Sequence, residues 1–299
     1  MYTNRYSRKY PGLVVIVLDQ SFAMREEYKG VSCITCATKV INTIIGELCL
    51  RNCDGVDIGN RVFVQIFEHG ENEEVEESKS GWISEYFESL PIRWEKEVKK
   101  YFYEINEYAE REILRPIWIE PHADGIGNLP RVLDDVAEVV KAWKTDWQEK
   151  NCLDLMPVPL VINFHSGEST GMSYDPNESI SQTLVSIDKI KEIDFPDGKP
   201  LISNVVVNPK CDSKVFPNEC PSSEIETCLY HASSILPCSM RRILRYPLNS
   251  ELKEGGRLFA SNLSVEEMTN FCKSLFDLFY MEWCGMDAEE PNPLLSEDE

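Results

Sequence analysis

Three short stretches of this chain carry oxygen-bearing side chains beside strand-like or helix-like segments. Asp19 and Ser21 follow the unbroken apolar run Leu13-Val-Val-Ile-Val-Leu18. Asp124-Gly125-Ile126-Gly127 stands just before a segment that opens with Pro130. His165-Ser166-Gly167-Glu168-Ser169-Thr170 follows the apolar run Val158 to Phe164. The Asp19–Ser21 turn, oxygen-rich and at the carboxyl end of a strand, suits a hard divalent cation. A plainer reading stays open, in which Asp19 and Ser21 only cap the segment that follows.

A catalytic reading is the alternative: a metal-dependent hydrolase using the Asp19/Asp124 carboxylate pair, with His165 as acid and base. It has little behind it. The histidines at 69, 122, 165 and 231 are scattered, and there is no Gly-x-Ser-x-Gly elbow, Walker loop or HExxH motif. His165 reads as a loop or supporting residue, and His231, on a helix, as structural. Ser166, Ser169 and Thr170 are also phosphorylatable, and a phosphate beside Asp19 would be repelled and would disrupt metal binding.

Cysteine chemistry is weaker still. Cys33-x-x-Cys36 and Cys49-x-x-x-Cys53 have spacings that zinc ligands use, but the segment around them has helical apolar spacing. Buried thiols acting as small apolar residues fit better. Cys211, Cys220, Cys228 and Cys238 are too widely spaced for a zinc knuckle.

The elements that must hold these loops are legible from pattern. Leu13–Leu18 reads as a central parallel strand buried on both faces, because it lacks the alternation of a half-wet strand. A helix is expected over 32–50, a strand over 60–67 and a helix from about 130 to 148. A strand over 158–164, a helix over 178–193, a strand over 201–207 and helices over 224–236 and 264–279 complete the series, with Leu258–Ala260 a short piece between the last two. Residues 68–120 read as an insertion on one edge of the sheet, with a charged helix around 95–114. Strands alternating with helices predict an α/β fold with a doubly wound, mostly parallel central sheet flanked by helices. Residues 1–286 are expected to form one domain and 287–299 a disordered acidic tail.

Of 299 residues, 30 are basic and 51 acidic, a net charge of −21, which argues against nucleic acid or an anionic membrane as partner. Hydrophobic content of 42% and charged content of 27% are ordinary for a soluble globular protein. Part of the acidity is local, in the run Glu71 to Glu77 and in the tail. The first ten residues are polar and basic, no run approaches the ~20 apolar residues of a membrane span, and a cytoplasmic location is expected.

Asp19-Gln20-Ser21-Phe22-Ala23-Met24 resembles the Asp-x-Ser-x-Ser motif that opens the metal-ion-dependent adhesion site of von Willebrand factor A (VWA) domains. Ala23 stands where that motif has its second Ser. The second loop of that site supplies a Thr, and Asp124 falls near that place. The third supplies an Asp, and Ser166 replaces it within a stretch similar to Thr-Asp-Gly-Glu-Pro-Thr. The resemblance thus implies a metal site of Asp19, Ser21, Asp124 and Ser166, and Mg²⁺ is usually held by one or two carboxylates plus waters. Ser203-Asn204-Val205-Val206-Val207, Phe216-Pro217 and Tyr230 to Pro237 resemble the C-terminal part of TerY-type bacterial VWA proteins. The resemblance runs from about residue 11 to 280. It implies a VWA/Rossmann-like fold and a non-enzymatic interaction scaffold that binds a partner protein through the loop edge, with Mg²⁺ at an altered site or with no metal at all. It also implies a bacterial stress or defence system in which the partners are a PP2C-type phosphatase and a protein kinase. On this reading Asp19→Ala should abolish partner binding and leave the fold largely intact, because removing an unpaired carboxylate at a strand end relieves repulsion.

Overall fold

The computed structural model describes residues 2–280 apart from 29, 56, 71–75, 105–106, 169–175, 238–240 and 242–251. The acidic residues Glu71, Glu73 and Glu74, the third-loop residues Ser169 and Thr170, and the tail 287–299 lie outside the described residues.

In chain order the strands are β1 Gly12–Asp19, β2 Glu27–Tyr28, β3 Val31–Ser32, β4 Cys53–Asp54, β5 Asp57–Ile58, β6 Val62–His69, β7 Glu76–Trp82, β8 Arg93–Glu104, β9 Glu107–Ile117, β10 Leu160–His165, β11 Leu201–Val206, β12 Lys214–Val215 and β13 Phe259–Ser261. The helices are α1 Cys33–Arg51, α2 Ile83–Glu88, α3 Leu129–Glu149, α4 Pro176–Lys191, α5 Glu224–Ala232 and α6 Val265–Tyr280. One seven-stranded sheet runs β12-β13-β11-β10-β1-β6-β7. Its inner pairs are parallel, and only the edge strands β12 and β7 run antiparallel to their neighbours. The doubly wound α/β architecture expected from the sequence is what the chain adopts.

Every residue of β1 is buried, as an all-apolar strand between two helical layers requires. α1 packs with α2 and α6, while α3 packs on α4 and α4 on α5. Though α1 is long and apolar enough to cross a membrane, its side chains are mostly buried in this core. The chain leaves β1 for β6 on one side and later reaches β10 on the other, so the strand order reverses at β1. In open α/β sheets the crevice at such a switch point, outside the carboxyl ends of the strands, is where ligands bind. Asp19 is the last residue of β1.

The structure corrects the insertion. The charged stretch around 95–114 is not a helix but a two-stranded ribbon, β8 against β9. Its Lys and Glu residues suit a helix, yet Val98, Tyr101, Phe102, Tyr103, Tyr108 and Ile113 favour a strand, and opposite charges face across it, with Lys96 Nζ 3.0 Å from Glu112. β6 also runs two residues past the expected end, to His69. α5 stops at Ala232, where Ser233 turns extended and its hydroxyl accepts from Asn204 Nδ2 at 2.9 Å. Residues 259–261 form a true strand of the sheet.

Candidate functional site: three loops at the carboxyl edge of the sheet

Asp19 is fully buried and its carboxylate joins two of the loops. Oδ1 accepts from the Ser21 backbone N–H at 2.9 Å, and Oδ2 from the Ser166 N–H at 3.1 Å. Parallel register sets His69 beside Asp19 on β6. From β10, His165 brings Nε2 to 4.0 Å from Oδ2. His165 Nδ1 accepts from the Gly167 N–H at 2.9 Å, so the ring proton sits on Nε2 and faces the carboxylate. Burial opposes the Asp19 charge, but His165, His69 and the bonds from Ser166 and Ser21 outweigh it and hold the carboxyl below the usual range. Burial pushes the His69 imidazole down to about 4, and His165 down as well, against the pull of Asp19. Both rings are neutral at pH 7, and the carboxylate is a buried anion.

Close packing fixes the loops. A Cβ at Gly70 would stand 2.4 Å from the Gln20 carbonyl, where the first loop crosses the end of β6. Gly167 has φ +73°, and a Cβ there would lie 2.7 Å from Val206 Cγ1. The second loop hangs from α1: Asn42 Oδ1 accepts from Trp118 N at 2.7 Å and Ile119 N at 3.1 Å, and its Nδ2 donates to Ile119 O at 2.8 Å. Asp124 N then donates to Gln20 O at 2.7 Å and Phe22 N to Gly125 O at 3.0 Å, which docks the second loop on the first. Lys210 bridges Glu26 at 2.9 Å and Glu168 at 3.6 Å, spanning first and third loops.

Of the four residues read from the sequence, Asp19, Ser21 and Ser166 come together. Asp124 reaches the same edge through its backbone, but its Oδ1 accepts from Gly125 N at 2.8 Å and pairs with Arg25 Nη2 at 3.4 Å. Arg25, at the end of the short 3-10 turn Phe22–Arg25, also donates to Ala123 O at 2.6 Å. Nothing in the sequence pattern announced Arg25, because its pairing depends on how that turn folds back. His69 was equally hidden, since it became visible only when β6 was seen to reach the level of Asp19.

Among the described residues, two buried polar groups at this edge lack a hydrogen-bond partner: Ser21 Oγ and the imidazole of His69, at both ring nitrogens. Among the described residues no group of three or more His, Cys, Asp or Glu side chains is placed to hold a metal. A cation here would therefore rest on one carboxylate, hydroxyl oxygens and water. An ionised Asp19 beside an unsatisfied Ser21 hydroxyl fits that donor set.

No protein-family model matches the chain, and no curated protein matches it in sequence. Solved structures do. The pilus adhesin SpaC from Lactobacillus rhamnosus GG, in its open conformation, is similar at TM-score 0.51 and 10% identity, over 92% of this chain and 31% of the adhesin. The manganese-loaded TRAP protein of Plasmodium vivax is more distant, at TM-score 0.40 and 11% identity, over 89% of this chain and 73% of that one. The chain spans about a third of the adhesin's length. The likeness to the adhesin is one of fold, an α/β domain with a mostly parallel central sheet.

Proposed function

We propose that this chain is a non-enzymatic interaction module that docks a partner protein through the loop edge at Asp19. The observation that carries the reading is the buried, unpartnered Ser21 Oγ beside an ionised Asp19, at the crevice where the strand order reverses. Asp19, Ser21 and Ser166 would hold Mg²⁺, with water filling the remaining positions. When bound, the ion supplies a coordination position that a partner's acidic side chain can complete. The exposed rim of Phe22 and Ile126, 51% and 68% accessible, adds apolar contact area beside it. Asp124 is left out of the ligand set unless Arg25 releases it.

Resemblance to TerY-type proteins supports a cytoplasmic role in a bacterial stress or defence system, with a PP2C-type phosphatase and a protein kinase as partners. The hydrolase alternative has no observation in its favour: His165 is fully buried with Nδ1 engaged, and Asp124 is tied to Arg25.

Isothermal titration with Mg²⁺ and Mn²⁺ tests the reading, and the informative variant is Ser21→Ala. Its hydroxyl has no partner among the described residues, so the fold should be unaffected. Saturable binding by wild type that weakens roughly tenfold or more in Ser21→Ala is expected, since a lost metal ligand removes at least ~1.4 kcal/mol. No binding by wild type, or equal binding by both, overturns the metal assignment.

A further inference from the structure

Away from the loop edge, the start of α5 holds a second chemically competent group. We propose that Cys220 and His231 form a reactive thiol–imidazole pair, a site of oxidative modification by peroxides.

The placement follows from how α5 begins. Ser223 caps the helix: its Oγ accepts from Glu226 N at 3.3 Å and donates to Glu226 Oε2 at 2.8 Å. That cap lays the preceding loop along the helix, where Thr227 and His231, one turn apart, share a face. Cys220 Sγ then lies 3.6 Å from Thr227 Oγ1 and 3.6 Å from His231 Nε2. Thr227 gives its own hydroxyl proton to Pro221 O at 2.9 Å, so it faces the thiol as an acceptor. Tyr230 stands edge-on to the imidazole, with ring centroids 5.4 Å apart. Two cations hold the His231 carbonyl, Lys191 Nζ at 3.1 Å and Arg257 Nη1 at 3.2 Å. Cys220 and His231 are both exposed, so the sulfur is open to a small oxidant.

The other thiols mark the contrast. Burial pushes Cys33, Cys49 and Cys211 up to about 12, and Cys228 up to about 11. These remain protonated and shielded. Exposed Cys53 and half-buried Cys152 face the backbone carbonyls of Gly55 at 3.4 Å and Lys150 at 3.3 Å. A carbonyl oxygen cannot take a thiol proton at neutral pH, whereas an imidazole nitrogen can.

The step is a two-electron oxidation. His231 Nε2 takes the Sγ proton, and the thiolate attacks one oxygen of the peroxide. An S–O bond forms as the O–O bond breaks, and the departing hydroxide leaves as water with the imidazolium proton. Cys220 becomes a sulfenic acid, the peroxide is reduced, and a thiol reductant restores the residue.

The test is site-resolved labelling of the native full chain at pH 7, read by mass spectrometry. Iodoacetamide should modify Cys220 roughly tenfold faster than Cys53 or Cys152. His231→Gln should bring the Cys220 rate down to theirs and leave the Cys53 rate unchanged. After hydrogen peroxide, dimedone should trap a sulfenic acid at Cys220 in wild type and at much lower yield in the variant. The comparison within wild type needs no variant to fold. Equal rates at Cys220 and Cys53, a rate that His231→Gln does not change, or no dimedone adduct at Cys220 would each overturn the assignment.

Discussion

At Asp19 one carboxylate serves both the fold and the proposed ligand, and the two roles separate by substitution. Its oxygens are the acceptors for two buried backbone N–H groups, from the first and the third loop. A buried donor that loses its acceptor costs about 1–3 kcal/mol. Asp19→Ala should therefore destabilise the chain by about 2–5 kcal/mol in urea unfolding, with the denaturant slope unchanged. The sequence-based expectation that this variant keeps the fold intact rested on an unpaired carboxylate, and the structure shows a paired one. A loss below about 0.5 kcal/mol would mean that the two N–H groups find other acceptors. Ser21→Ala, which removes only an unpartnered hydroxyl, is the cleaner probe of binding. At this scale the sequence exposes Asp19 and Ser21 because they directly follow an uninterrupted apolar run. It hides the Arg25–Asp124 pair, because a salt bridge across 99 positions depends on two loops meeting, which no local periodicity encodes.

Between elements, the contact of α1 with α6 is held by a charged group whose pH response can be worked out. Arg51 Nε meets Glu47 at 2.9 Å and its Nη1 meets Asp277 at 2.6 Å, while Lys273 Nζ reaches the other Glu47 oxygen at 2.9 Å. Burial opposes the Glu47 charge, but the bonds from Lys273 and Arg51 outweigh it and lower its carboxyl below the ordinary value. A carboxyl with a depressed folded-state value stabilises the fold above its unfolded value of ~4.3, and that contribution is lost as pH falls through the depressed value. Glu47→Gln should thus be less stable than wild type at pH 7, and the gap should narrow as pH falls below the unfolded value of ~4.3. Chemical denaturation at several pH values measures both curves, and a gap as wide at pH 3 as at pH 7 would refute the linkage. The helices themselves were legible, because amphipathic spacing over four or five turns is a strong signal. The ribbon β8–β9 was not. Its Lys/Glu content reads as a solvated helix, and only cross-strand pairing, a non-local property, decides for strand.

For the molecule as a whole, the question is what the ribbon contributes to a domain whose sheet is complete without it. Among the described residues β8 and β9 pair only with each other and form no ladder with the seven-stranded sheet. Their anchorage is at the base. Arg115 meets the Thr43 hydroxyl on α1, Ile92 N donates to Ile117 O at 2.7 Å, and Trp118, wholly buried, donates from Nε1 to Tyr86 O at 2.6 Å. Further out, Trp94, Val98 and Leu114 share one face of the ribbon and are 45%, 56% and 61% exposed. Glu97 and Ile113 are directly paired, so replacing residues 98–112 by Asn-Gly closes a two-residue hairpin in a turn type that suits the strand twist. Everything that positions Asn42, Trp118 and the second loop survives the change. Because shortening an exposed loop alters closure entropy only slightly, the trimmed chain should match wild-type stability to within about 1 kcal/mol and bind Mg²⁺ with the same affinity. Circular dichroism melts and the same titration measure both. A large loss of stability would make the ribbon part of the folding unit, while retained metal binding with lost partner binding would assign the removed outer part of the ribbon to recognition.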